Sequence, residues 1–263
     1  MYKTVNELVK LKRTDTMHIL GSSESINDIT DEQWGDILSA DSIALNNFIY
    51  HPTIVPKFYT LELKHYDFDI VKRRFNEKWD RYKDVIYVLM RGDKGIQHLV
   101  DAIGHKKEAK IYEIPHKERG RHPGEESKNV AVYTRTKKVK FDPETYDANY
   151  KPGRIPLVKS YSASITTVID LIYLMGYNKV VFHGHDYYHS RYFWFSGDKM
   201  YGEIHCRSNK EHENKNPDEP HNTLHIMNFI IDFNKRHMLP QGREMFIGSK
   251  KSLLYPKLRY YLE

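Results

Sequence analysis

At 263 residues, 40% apolar and 29% charged, the chain is globular rather than disordered and long enough for one large core or two small ones. Its formal net charge of +6 suits an anionic partner such as a nucleotide, a nucleic acid or an acidic membrane surface without choosing among them. The lone Cys206 excludes an internal disulfide framework and a cysteine-only metal site, and no run reaches the roughly eighteen apolar residues of a membrane span, so a reducing, cytoplasmic setting is expected, with peripheral membrane contact left open.

Met17-His18-Ile19-Leu20 reads as a short strand that ends in Gly21-Ser22-Ser23-Glu24-Ser25. Thr30, three residues before Gln33, then marks the capped start of a helix running through Leu38. Asp41 to Leu45 is a second strand and leads into Asn46-Asn47-Phe48. Val85 to Met90 is nearly continuous in apolar residues, as expected of a strand covered on both faces.

The middle is less regular. The stretch 105–156 is expected to be an insertion or edge region of a single domain spanning 1–263. It contains a basic alternating segment, Tyr133 to Lys140, which reads first as a solvated strand face and second as a phosphate-facing patch.

From Ser164, the residues Ile165, Val168, Ile169, Ile172 and Met175 recur at helical spacing, and Gly176 supplies a C-cap. Lys179-Val180-Val181-Phe182 follows as a buried strand, opening into His183-Gly184-His185-Asp186-Tyr187-Tyr188. The polar segment 205–221 reads as a lid. A last helical period begins at Leu224, and Met245-Phe246-Ile247 is a final strand. Strands alternating with helices imply an α/β fold with a doubly wound, mostly parallel, Rossmann-like sheet.

The turn at Gly21 can offer backbone N–H groups to a phosphate, although it is neither a dinucleotide fingerprint nor a P-loop. His183, His185, Asp186 and His189 invite a metal reading, and with it a metal-dependent hydrolase. In an unbroken strand His183 and His185 would share one face and Asp186 would point elsewhere. Tyr188 and Tyr192 can donate to phosphate oxygens without bringing charge, and the twenty tyrosines of the chain suit sugar, base or interface surfaces. His221 and His225 bracket the start of a helix after the polar segment, and either imidazole can take a proton from a hydroxyl near neutral pH. A non-enzymatic nucleotide- or nucleic-acid-binding protein is the other alternative these residues allow.

These segments, in this order, resemble the bacterial sialyltransferases of the Campylobacter lipooligosaccharide type and the wider sialyltransferase-like and Kdo-transferase-like group. The resemblance covers about two-thirds of the chain and leaves the middle unaligned. It rests on Gly21 to Ile26, on Asn46-Asn47-Phe48, on Leu174 to Tyr188 and on the terminal Ser252-Leu253-Leu254 turn. Ser22 and Thr60 stand where the family has asparagines.

The resemblance implies a fold of the GT-A-variant kind and a metal-independent, inverting transferase with no cofactor. Such an enzyme moves an acidic sugar, sialic acid- or Kdo-like, from a CMP-activated donor to a glycolipid or oligosaccharide hydroxyl, in lipopolysaccharide or capsule assembly. It further implies that Gly21, Ser22, Ser23, Asn46, Asn47, Thr60, Ser164 and Asp186 hold the nucleotide. Tyr188 and Tyr192 would take the phosphate, and His221 would be the base. Self-association is compatible with this reading, and a nucleic-acid partner is not part of it.

Overall fold

The structure is a computed structural model that describes residues 5–61, 68–91, 109–115, 164–187, 192–193 and 224–263. The basic segment 133–140, the segment 205–221, Tyr188, His189 and His221 therefore lie outside the described residues.

A short helix α1 (Val5–Val9) leads into the sheet. Among the described residues the strands are β1 (Thr16–Leu20), β2 (Asp41–Leu45), β3 (Phe58–Thr60), β4 (Ile86–Arg91), β5 (Lys110–Pro115), β6 (Lys179–His183), β7 (Glu244–Ile247) and β8 (Arg259–Tyr260). They form one sheet in the order β5-β4-β3-β2-β1-β6-β7-β8, and each neighbouring pair is parallel. The expected doubly wound, largely parallel α/β fold is thus what the chain adopts. From β1 the order runs outward through β2 to β5 on one side and through β6 to β8 on the other. The order of strands therefore reverses between β1 and β6, where ligands of such sheets bind beyond the C-terminal strand ends.

Strand alternation divides the core into two layers. Met17, Ile19, Ile43, Leu45, Phe58, Ile86 and Val88 face α5 (Ser164–Leu174) and α6 (Leu224–Phe233). Leu20, Ala44, Tyr59 and Tyr87 face α2 (Asp31–Ser39), α3 (Phe68–Glu77) and α4 (Trp79–Tyr82). Both faces are covered, which is why β2 is buried at every position.

Local signals set the boundaries. The Thr30 hydroxyl accepts from the Gln33 amide while Gln33 Oε1 accepts from the Thr30 amide, so α2 begins with a complete capping box. Gly176, at φ 77°, ends α5 where a side chain would be strained. At the N-terminal edge of the sheet the fully buried Asp41 accepts from the Arg13 amide at 2.7 Å, Lys57 Nζ at 2.7 Å and Tyr177 Oη at 2.8 Å. That cluster pins β2 to the segments before β1, β3 and β6. It leaves the opposite, C-terminal edge free to vary in chemistry.

Candidate functional site

Nine of the residues singled out in the sequence converge on that C-terminal edge. Gly21, Ser22 and Ser23 follow β1, Asn46 and Asn47 follow β2, Thr60 ends β3, Ser164 opens α5 and Asp186 lies just beyond β6. Tyr192 joins them through an isolated antiparallel bridge to Ser23. Tyr188 and His221 lie outside the described residues, and His225 lies in the first turn of α6.

The turn after β1 is held by backbone contacts with the exit of β6. The Gly21 amide donates to His183 O at 2.8 Å and the Ser23 amide to Gly184 O at 3.0 Å. The Ser25 amide donates to Asp186 Oδ2 at 3.1 Å, and its hydroxyl donates to Oδ1. Asp186 is fully buried, and its own amide approaches Ser23 Oγ at 3.4 Å. Its carboxylate thus ties the exit of β6 to the first turn through Ser25. Three amides of the turn are already engaged, which leaves fewer of them for a phosphate than the bare sequence suggests.

The Phe193 amide donates to Ser22 O at 3.0 Å, and Asn27 Nδ2 donates to Phe193 O at 2.8 Å. Phe193 is buried against Phe48. This anchors Tyr192 beside Ser23 through the backbone, with its side chain packed on the layer that contains Phe48.

Beyond β2, Asn46 takes a left-handed conformation at φ 50°, which asparagine tolerates better than most residues. The Tyr59 hydroxyl donates to Asn46 O and accepts from the Ile49 amide at 2.7 Å, clamping this bend from beneath. Asn46 Nδ2 in turn donates to Ser164 Oγ at 3.3 Å. Thr60 lies level with Leu45 in the register of β2 and β3, one residue from Asn46. The sequence assigned no role to Tyr59. Its signal was a phenol inside a buried strand, since such a hydroxyl needs a partner.

The histidines separate. β6 ends at His183, and Gly184, at φ 66°, turns the chain there. His183 and His185 therefore do not share a face, contrary to the expectation for a continuing strand. His183 Nε2 meets His18 Nδ1 at 2.9 Å on the α2 side, beside a cavity of about 30 Å³ bordered by Gln33, Asp36, Gly248 and Tyr261. Burial holds His18 down at about 4 and His183 well below its ordinary value, so both imidazoles are neutral at pH 7. His185 packs edge-on against Phe182 and stacks on Tyr187, on the opposite face.

Asp186 is bonded to Ser25 and the two imidazoles lie on opposite faces, so His183, His185 and Asp186 do not form a metal centre, while His189, the fourth residue of that reading, lies outside the described residues. Among the described residues no three His, Cys, Asp or Glu side chains converge on one point. Also among the described residues, no helix is long and apolar enough to cross a membrane.

No family model and no curated protein matches the chain. Among solved structures it is similar to the monofunctional alpha-2,3-sialyltransferase Cst-I from Campylobacter jejuni. The identity is 11% and the TM-score 0.47, over 99% of this chain and 82% of that one. This is a distant likeness of fold.

Proposed function

We propose that the chain is an inverting glycosyltransferase that moves an acidic sugar from a CMP-activated donor to a glycan hydroxyl. The observation that supports this most is the meeting of Gly21, Ser23, Asn46, Thr60, Ser164 and Tyr192 at one strand edge beside the β1–β6 reversal. These are positions that the sequence resemblance assigns to nucleotide contact, and hydroxyls, a carboxamide and a phenol suit a ribose and phosphate.

In this reading Asn46, positioned by Tyr59 and Ser164, reads the nucleoside, and the turn at Gly21 lets the ligand come close to the backbone. Asp186 positions that turn through Ser25. Tyr188 and Tyr192 donate to the phosphate oxygens, where negative charge grows as the bond between the anomeric carbon and the phosphate breaks. His221 removes the proton from the acceptor hydroxyl as its oxygen attacks that carbon from the opposite face, so CMP departs and the configuration inverts. The segment 205–221 excludes water, because hydrolysis of the donor is the competing reaction. The acceptor is a glycolipid or oligosaccharide, and the protein works at the inner face of the cytoplasmic membrane.

Calorimetric titration with CMP, CDP, UDP and GDP tests the nucleotide. Binding confined to CMP is expected, and no binding of any of the four overturns the reading. In a transfer assay His221→Ala should abolish turnover while donor still binds. If His225→Ala alone does so, the base has been assigned to the wrong histidine.

A further inference from the structure

Among the described residues, two polar atoms at the β1–β6 reversal are buried without a hydrogen-bond partner, His185 Nε2 and the hydroxyl of Tyr187. Folded proteins pair nearly all such groups, and those left over cluster where a ligand or a water completes them. The two rings stack with centroids 6.1 Å apart and planes inclined by 29°.

The surroundings place the imidazole at the strand edge. A Cβ built on Gly21 would lie 2.7 Å from His185 Nε2, so the ring occupies the space that any side chain at position 21 would need. Gly21 directly follows β1, and Ile19, Phe182 and Tyr187 belong to the layer under α5, the helix that Ser164 opens. Tyr187 is itself held at φ 67°, a conformation unfavourable for an aromatic residue. A glycine, a strained tyrosine and two unpaired polar atoms are thus gathered at one spot. The rings pack against Phe182 and each other, but packing does not account for their polar atoms, since phenylalanine and an apolar side chain would fill the same space without leaving one unpaired.

The amides of Gly21, Ser23 and Ser25 are engaged within the protein, so side chains can supply donors that these three amides cannot. We infer that His185 Nε2 and the Tyr187 hydroxyl are ligand-facing groups that hydrogen-bond a ribose or phosphate oxygen of the bound nucleoside monophosphate. This rests on the nucleotide reading above and adds two residues to it. Burial keeps the imidazole neutral and the phenol protonated at pH 7, so the pair offers donors without net charge.

The test is titration of CMP, cytidine and inorganic phosphate into the wild type and the Tyr187→Phe, His185→Leu and His185→Gln variants, with thermal melts of each free protein. Tyr187→Phe and His185→Leu should each weaken CMP binding about tenfold, and His185→Gln, which keeps an N–H, should recover most of the loss. The free Tyr187→Phe protein should melt no lower than wild type, because the hydroxyl has no partner to lose. Comparing the losses for cytidine and for phosphate identifies which oxygen is held. Wild-type affinity in Tyr187→Phe and His185→Leu overturns the inference and leaves the nucleotide reading standing. A fall in the melting temperature of Tyr187→Phe also overturns it, by assigning the hydroxyl a structural role. If the wild type binds no CMP, the nucleotide reading fails first and the inference falls with it.

Discussion

Ser25 donates to both carboxylate oxygens of Asp186, its amide to Oδ2 and its hydroxyl to Oδ1, across 161 positions of sequence. A buried carboxylate is tolerable only with such partners, and removing it strands the donors in turn.

Asp186→Ala should therefore cost about 3 kcal/mol of stability and Ser25→Ala about 1–2 kcal/mol. The double variant should lose less than the sum, because each single change already breaks the pair. Urea unfolding of the four proteins measures this. Strictly additive losses would mean that the contact contributes nothing.

The buried histidines make stability depend on pH. Burial holds His18, His51 and His185 at about 4, from an ordinary 6.5, and for His51 the nearby Lys78 and Arg81 act in the same direction. Between these values the unfolded chain binds more protons than the folded one, so stability rises with pH. The contribution is complete above about 6.5 and is lost as pH falls toward about 4, on the order of 3 kcal/mol for each such histidine. His18→Gln should reduce the slope of unfolding free energy against pH in that window by up to one proton. An unchanged slope would refute the assignment to His18.

Two glycines should respond with opposite sign. A Cβ at Gly21 would lie 2.3 Å from Gly184 O and 2.7 Å from His185 Nε2, so Gly21→Ala should cost about 2 kcal/mol or more and disturb nucleotide binding. Gly35 lies inside α2, and a Cβ there meets nothing within 4 Å. Gly35→Ala should stabilise the fold by about 0.5–1 kcal/mol. Thermal melts settle both, and a stabilising Gly21→Ala would contradict the geometry.

Asp41 should be the costliest carboxylate at the far edge of the sheet. Burial pushes its carboxyl up, but Lys57, the Arg13 amide and Tyr177 more than offset this, and the net direction is downward. Its contribution is present above the unfolded value of about 3.9 and is lost as pH falls through the lower folded value. Asp41→Asn should cost about 3–5 kcal/mol at pH 7, because Lys57 keeps its charge without its partner. Denaturant midpoints at pH 7 test this, and a loss below about 1 kcal/mol would refute it.

The strands whose cores are apolar runs, β1, β2, β4, β6 and β7, were legible in the sequence, as were α2 from its capping box and α5 from its period and Gly176. The strand β3 was not, since the three residues Phe58 to Thr60 carry no period. In β5, charged Lys110 and Glu113 interrupt the apolar pattern of the outermost strand among the described residues. At the site, the residue types at the strand exits were readable, but their contacts were not. His18 with His183, and Ser25 with Asp186, are pairings of the folded sheet that no local window contains. The direction of His185 is not readable from strand alternation, because a single glycine at φ 66° ends that alternation at Gly184.

The pairing of β1 with β6 also bears on how the chain is made. Leu20 and His183 are neighbours in the sheet, so β1 emerges from the ribosome long before one of its two partners exists. At roughly 5–20 residues per second this waiting time is on the order of ten seconds. Throughout it one edge of β1 is an unpaired row of amides and carbonyls, open to the wrong strand. Fragments that stop short of β6 should collect as aggregates, and fragments that reach β7 should stay in solution.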